Sequence, residues 1–89
     1  MALFLLCGLI LAQSQNWNEV ATLVSDTSRD ETILTVEYSA TVTVGRPILI
    51  EARDTRLSEV YEVKHVYGNH ILLKQRLASD FLAGSRVYQ

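Results

Sequence analysis

Short runs of alternating or continuous apolar residues fill the second half of the chain and predict β-strands. The runs are ILIEAR at residues 48–53, SEVYEVKHVY at 58–67, HILLK at 70–74 and RVY at 86–88. Polar or glycine-containing segments separate them, and successive side chains of a strand point to opposite faces of a sheet. This succession of strands and tight connections predicts an antiparallel sheet.

A hairpin is predicted at the centre of this region. Gly68-Asn69 lies between two aliphatic strands and is typical of a two-residue turn in which both residues adopt positive φ. In the returning strand, Leu72 faces away from Ile71 and Leu73.

The strand before this turn does not alternate cleanly. Strict alternation places Tyr61, Val63, His65 and Tyr67 on one face, but Val60 and Val66 then share the other face with charged residues. Either both faces are partly covered, or a β-bulge near Lys64 resets the register.

The middle of the chain continues the strand pattern. The run TILTVEY at residues 32–38 places Leu34, Val36 and Tyr38 on the expected core face, and SATVTV at 39–44 extends the pattern. Gly45-Arg46 ends it. Pro47 is acceptable as the first residue of the next strand, where no donor to the sheet is needed.

The secondary structure of two segments is left undecided by the sequence. Residues 16–25 place Trp17, Val20, Ala21 and Val24 on one helical face, with a capping-box spacing from Asn16 to Glu19, although the same letters tolerate a strand. A polar loop at 25–31 follows. Residues 78–84 are compatible with one helical turn or an irregular loop.

Five or six short strands within about sixty residues predict a mainly β fold, a small antiparallel β-barrel or sandwich with at most one short helix. We expect residues 16–89 to form a single β-rich domain. Residues 1–15 precede it as an apolar N-terminal arm.

The arm itself, MALFLLCGLILA at residues 1–12, has two interpretations. It resembles the apolar region of a secretory signal, and Ala12-Gln13-Ser14 would serve as a cleavage site, but no Lys or Arg precedes it. It is shorter than the roughly 20 residues of a membrane span. We expect residues 1–12 to be an arm that packs against a neighbouring subunit. In the alternative, residues 1–14 are the signal peptide of a secreted or periplasmic domain.

Charge and cysteine content narrow the function classes. The 89 residues carry a formal net charge of −2 with the signs interspersed, so no basic run is available to follow a phosphate backbone, and direct nucleic-acid binding is not expected. A barrel of the SH3-like or oligonucleotide-binding type is disfavoured for the same reason. The single cysteine, Cys7, has no internal disulfide partner and is expected to pack as a small hydrophobe.

Candidate chemistry is sparse. His65 and His70 flank the predicted turn, but no cysteine or carboxylate cluster completes a four-ligand metal set. Glu59 and Glu62 lie near Arg53, Arg56 and Lys64 in the sequence. We therefore expect the two glutamates to form surface ion pairs and not a catalytic pair of acids. No phosphate-binding loop, dinucleotide-binding or zinc-protease motif occurs. We expect no enzyme, no cofactor, no small-molecule substrate and no membrane partner.

Arginine outnumbers lysine, and four tyrosines accompany it, which is the residue choice of protein interfaces. The predicted interface residues are Leu3, Phe4, Leu5, Leu6, Leu9, Ile10, Leu11, Trp17, Arg56, Tyr61 and Tyr88.

One stretch carries a family resemblance. It runs from Thr41 through the strand ILIEA and the segment VYGNHILL at 66–73, then through Arg76-Leu77 to AGSRV at 83–87, ending at Tyr88. This pattern resembles the small β-barrel modules in neck, tail and baseplate proteins of tailed bacteriophages.

The resemblance implies a structural subunit of a virion, assembled in the host cytoplasm and acting through protein contacts. Its partners would be other virion structural proteins, with this chain in a homo-oligomeric ring or in multiple copies. A head-completion or head-to-tail connector protein of the neck is the leading placement, and a baseplate or tail-tip component is the alternative.

Overall fold

The structure, a computed structural model, describes residues 16–37, 39 and 41–89. Its six strands are β1 (Glu19–Thr22), β2 (Ile33–Thr35), β3 (Pro47–Glu51), β4 (Ser58–Tyr67), β5 (His70–Leu73) and β6 (Arg86–Tyr88). They form one sheet in the order β1-β6-β3-β4-β5-β2, and every neighbouring pair is antiparallel. The predicted mainly β fold is confirmed.

The sheet curls until its two outermost strands meet. Just beyond β1, Leu23 pairs with Val36, which follows β2. Two backbone hydrogen bonds flank this pair, from Val24 N to Thr35 O and from Glu37 N to Thr22 O, each 3.0 Å long. The sheet is therefore a partly closed barrel, because its two edge strands satisfy part of each other's backbone.

Alternate residues of the strands fill the interior. Leu34 and Val36 are completely buried, as the alternation of residues 32–38 predicts, and Tyr38 lies outside the described residues. The inward-facing residues of the other strands and loops complete one core: Ala21, Leu23, Val42, Ile48, Ile50, Ala52, Tyr61, Val63, Ile71, Leu73, Leu77, Phe81 and Val87.

The β4–β5 hairpin contains a bulge, which was one of the two alternatives for the irregular pattern of β4. The register of β4 against β5 shifts between Val63 and His65, and Tyr67 pairs with His70 across the turn. The turn itself differs from the prediction, since Gly68 has φ +56° but Asn69 does not have positive φ. Positive φ at the first central residue alone is the type II′ pattern, for which glycine is needed only at that position.

The helical interpretation of residues 16–25 is wrong. Glu19–Thr22 is strand β1, in which Ala21 turns inward. Just beyond β1, Leu23 is buried and Val24 is exposed. The segment is a strand because it pairs with the edge of β6 and gains a ladder of backbone hydrogen bonds there.

The strand expected at 39–44 is also absent from the described residues. Ser39 O instead accepts a hydrogen bond from Val42 N at 3.0 Å, which makes a turn, and Val42 is buried. The break at Gly45 and the start of β3 at Pro47 follow the prediction. Residues 78–84 form an irregular loop, the second of the two alternatives.

Two loops close one end of the barrel against each other. Thr27 and Phe81 exchange backbone hydrogen bonds of 2.8 Å in both directions, and the Phe81 side chain is buried beneath them. The polar loop at 25–31 is thus tied to the connection between β5 and β6. Within the described residues, no helix is long and apolar enough to cross a membrane.

Candidate interaction surface

Three apolar side chains form a row on the outer face of the sheet. Leu49 of β3 pairs with Val60 of β4 on one side and with Tyr88 of β6 on the other. Their strand neighbours Ile48, Ile50, Tyr61 and Val87 face the core, so alternation turns all three outward. Val60 is 53% exposed, and Leu49 and Tyr88 are half-buried. We call Val60, Leu49 and Tyr88 the outer-face row.

Charged residues border the outer-face row on both sides. Glu51 pairs with Ser58 and with Arg86 along one border, and Glu62 pairs with Pro47 along the other. The Tyr88 hydroxyl donates a 3.1 Å hydrogen bond to Glu51 Oε1, which fixes the ring at the border. An apolar centre with a polar rim is the usual arrangement of a protein contact surface.

A groove lies beside this row, where β1 and β3 begin and β6 ends. It has a volume of about 580 Å³ and is lined by Trp17, Val20, Arg46, Pro47 and Gln89, together with nearby threonine and asparagine residues. Its lining combines one indole ring with amides, hydroxyls and a guanidinium group.

The side chain of Gln89 builds one wall of the groove. Its Oε1 accepts a 2.8 Å hydrogen bond from Thr43 N, and its Nε2 donates to Thr43 O at 2.9 Å. These bonds hold the loop before β3 against the end of β6. Residues 46 positions apart make this contact, so no local pattern in the sequence predicts it.

A cluster of hydrogen-bonded polar groups surrounds the hydroxyl of the inward-facing Tyr61. The Tyr61 hydroxyl donates to Glu59 Oε1 and accepts a 2.8 Å hydrogen bond from Ala78 N. Ser79 Oγ donates to the other oxygen of Glu59 at 2.8 Å. Burial, followed by the hydrogen bond to Glu59, raises the pKa of Tyr61 above its usual value of 10.0. This cluster attaches the loop after β5 to strand β4.

The two histidines do not converge on a common ligand. Tyr67 lies near both, with ring centroids 5.6 Å from His65 and 5.4 Å from His70, and His70 Nδ1 is 3.3 Å from Thr35 Oγ1. Among the residues that the structure describes, no group of three or more histidine, cysteine or carboxylate side chains is placed to hold a metal ion.

The carboxylates act as structural hydrogen-bond acceptors. Asp26 Oδ1 accepts from Ala83 N at 2.8 Å, and Glu31 Oε1 accepts from Ser28 N at 3.0 Å, both beside a cavity of about 450 Å³. Glu62 Oε1 accepts from Gln75 Nε2 at 3.3 Å. Glu59 and Glu62 thus accept hydrogen bonds from loop residues Ser79 and Gln75, whereas the sequence predicted surface ion pairs.

The predicted interface residues occupy different environments. Trp17 and Tyr88 lie on the same side of the molecule, in the groove and in the outer-face row. Arg56 is exposed in the turn between β3 and β4, whereas Tyr61 is only 6% exposed and offers little surface to a partner. Leu3, Phe4, Leu5, Leu6, Leu9, Ile10 and Leu11 lie outside the described residues.

Leu49 and Val60 are the members of this surface that the sequence did not single out. Their outward facing was readable from alternation, but their adjacency to Tyr88 depends on β6 pairing with β3. That pairing joins residues far apart in the chain.

Two solved structures share this fold. The tailspike gp54 of Acinetobacter baumannii bacteriophage AP22, solved in complex with A. baumannii capsular saccharide, matches with a TM-score of 0.69 and 17% identity over 82% of this chain and 14% of the tailspike chain. The tailspike protein gp49 from Pseudomonas phage LKA1 matches with a TM-score of 0.65 and 19% identity over 81% of this chain and 14% of its own.

This chain therefore spans about one seventh of the length of the tailspike chains that it matches, and the likeness is one of fold. No protein-family model matches the sequence, and no curated protein matches it at a significant level.

Proposed function

We propose that this chain is a structural component of a bacteriophage tail, a small β-module that acts through protein contacts. The observation that carries the proposal is the match of more than four fifths of this chain to a module in tailspikes of two different phages. The phage-module resemblance of residues 41–88 supports it independently, since that resemblance depends on sequence motifs.

A tail position is favoured over the neck. Both structural neighbours are tail proteins, so they support the baseplate or tail-tip alternative more directly than the head-to-tail connector suggested by the sequence. The saccharide belongs to the gp54 structure, of which this module covers a small part, and our proposal does not extend saccharide binding to this chain.

The outer-face row and the adjacent groove supply the contact surface for such a module. An apolar centre of Val60, Leu49 and Tyr88 excludes water, and the charged rim of Glu51, Glu62 and Arg86 restricts which partner fits. The proposed partners are other tail proteins of the virion, and the module would occur there in several copies. No substrate or cofactor enters this role.

The experiment is localisation in particles purified from the source phage. Mass spectrometry of density-purified virions should detect the chain in constant proportion to the major tail protein, and immunogold labelling should mark the tail. Abundance in the lysate together with absence from purified particles would overturn the virion role.

Two further outcomes of the same experiment separate the alternatives. Label confined to the neck would replace the tail component with the connector. A mature N-terminus near Gln13 or Gln15, in protein recovered outside the cytoplasm, would support the secreted or periplasmic domain instead.

A further inference from the structure

We propose that the groove lined by Trp17, Arg46 and Gln89 receives the Arg29-Asp30 turn of a second copy of this chain, so that copies join head to tail. The proposal rests on the tail role proposed above for the presence of several copies, and it names the contact between them. Every residue of this contact belongs to the part of the chain that the structure describes.

The groove and the turn lie at opposite ends of the module. The groove is lined by Val20 in β1 and by Gln89, which follows the end of β6. The loop at 25–31 follows the end of β1, and its Thr27 bonds to Phe81 in the loop that precedes β6. Strands β1 and β6 are antiparallel neighbours, so both run between the two surfaces. A contact between opposite ends repeats from copy to copy and gives a ring or a filament.

The two surfaces have complementary chemistry. Among the described residues that line the groove, Arg46 is the only charged one, and it is exposed beside the indole of Trp17. The turn presents the carboxylate of Asp30 next to the guanidinium of Arg29, and both residues are exposed. Asp30 of one copy pairs with Arg46 of the next through charge-assisted hydrogen bonds, while Arg29 lies over the ring of Trp17.

Both surfaces are held in shape before they meet. The Gln89 side chain accepts a 2.8 Å hydrogen bond from Thr43 N and donates to Arg46 O at 3.3 Å, which fixes the loop that carries Arg46. In the turn, Asp30 N donates to Leu77 O at 2.8 Å. Contact between two preformed surfaces requires little further ordering of the chain.

Charge disfavours the two symmetric alternatives. A groove packed against a second groove would place two Arg46 guanidinium groups together. A turn packed against a second turn would bring together two loops at 25–31, in each of which three acidic residues outnumber Arg29. Like charges in contact oppose association, whereas the head-to-tail contact pairs opposite charges.

Sedimentation velocity of the full chain at low ionic strength, up to about 1 mM, tests the contact. The mean mass of the wild type should rise with concentration, and Arg46→Glu should weaken association by about tenfold or more. Lys64→Glu is the matched control, because Lys64 is exposed on β4 outside the groove and undergoes the same change of charge. It should associate as the wild type does. A monomeric wild type, or equal association of Arg46→Glu and the wild type, would overturn the proposal.

Mixing charge-reversed variants identifies the two ends of the contact. Asp30→Lys alone should remain monomeric, but an equimolar mixture with Arg46→Glu should associate, because every contact between the two variants then pairs opposite charges. A mixture of folded variants that stays monomeric would contradict the head-to-tail arrangement. Asp30→Asn is a neutral variant that tolerates the φ of +76° at this position, and it should weaken association while far-UV circular dichroism stays unchanged. Wild-type association of Asp30→Asn would also overturn the proposal.

The fluorescence of Trp17 locates the contact. Trp17 is the only tryptophan, so its emission reports on the groove. The emission of the wild type should change over the same concentration range as its mass, and that of Arg46→Glu should stay constant. Association without a change in emission would place the contact elsewhere and refute the proposal. Localisation in virions is measured separately, so failure of this contact leaves the tail role standing.

Discussion

Leu23, just beyond β1, pairs with Val36, just beyond β2, and this pair closes the curled sheet between its two outermost strands. We call this pairing the seam. Leu23 is 2% exposed and Val36 is completely buried, so both side chains belong to the core as well as to the seam. The seam thus couples closure of the sheet to burial of apolar surface.

Removing the Leu23 side chain should destabilise the whole fold. We expect Leu23→Ala to lower the free energy of unfolding by about 2–5 kcal/mol, because a buried leucine is lost and the cavity collapses only in part. Val24→Ala changes the next residue, which is 52% exposed, and should alter stability by less than about 0.5 kcal/mol. Guanidinium denaturation of both variants measures the difference, and similar values would show that the seam is not part of the cooperative core.

The Tyr61 hydroxyl should contribute to stability through the loop that it holds. Tyr61→Phe removes the hydrogen bonds to Glu59 and from Ala78 N, and we expect a loss of about 1–2 kcal/mol. Tyr67→Phe is the control, since Tyr67 is 43% exposed on the same strand, and its effect should be small. Equal stability of Tyr61→Phe and the wild type in urea would contradict a stabilising role for this cluster.

The raised pKa of Tyr61 predicts a loss of stability at high pH. The unfolded chain releases this proton near pH 10.0, whereas the folded protein retains it to higher pH, so above pH 10.0 the unfolded state binds fewer protons. The contribution of Tyr61 is therefore complete below pH 10.0 and declines as pH rises towards the folded pKa. Denaturation from about pH 9 to about pH 11 should show a steeper decline for the wild type than for Tyr61→Phe. Parallel curves would exclude this linkage.

Gly84 should tolerate alanine less well than Gly45 does. Both have positive φ, +94° and +89°, so alanine is strained at either position, by about 1–2 kcal/mol. At Gly84 the added Cβ would lie 2.8 Å from Arg53 Cδ, whereas at Gly45 it would meet nothing within 4 Å. We expect an additional cost of about 0.5–1 kcal/mol at Gly84, limited because the Arg53 side chain can move.

Arg53→Ala provides the background that isolates this contact. In that background, Gly84→Ala should cost no more than Gly45→Ala does, and thermal denaturation of the four-variant cycle measures the coupling. An excess cost that persists without the Arg53 side chain would show that backbone strain alone distinguishes the two glycines.

Local sequence information was sufficient for much of the strand pattern. Pro47 starts β3, Gly68-Asn69 turns the β4–β5 hairpin and the register shifts beside Lys64, because each feature depends on neighbouring residues. The alternation of Leu34 and Val36 likewise identified the core face of β2, since a period of two allows only two facings.

Two segments show where local patterns were insufficient. Residues 16–25 satisfy a helix and a strand almost equally, and the edge of β6, more than sixty positions away, supplied the hydrogen bonds that made β1 a strand. The run at 39–44 has strand-forming residues but, in the described part, turns at Ser39 and Val42.

The residues of the candidate surface were likewise predicted only in part from the sequence. Trp17 and Tyr88 were predicted as interface residues by residue type, whereas Leu49 and Val60 were not. Only the tertiary structure placed Tyr88 beside Leu49 and brought Gln89 against Thr43, because strand order is set by packing between segments distant in the chain. Sequence by itself thus determined most of the strands, the break before Pro47 and the core face of β2, because these depend on neighbouring residues. The order of the strands and the closure at Leu23 and Val36 required the burial of a shared core.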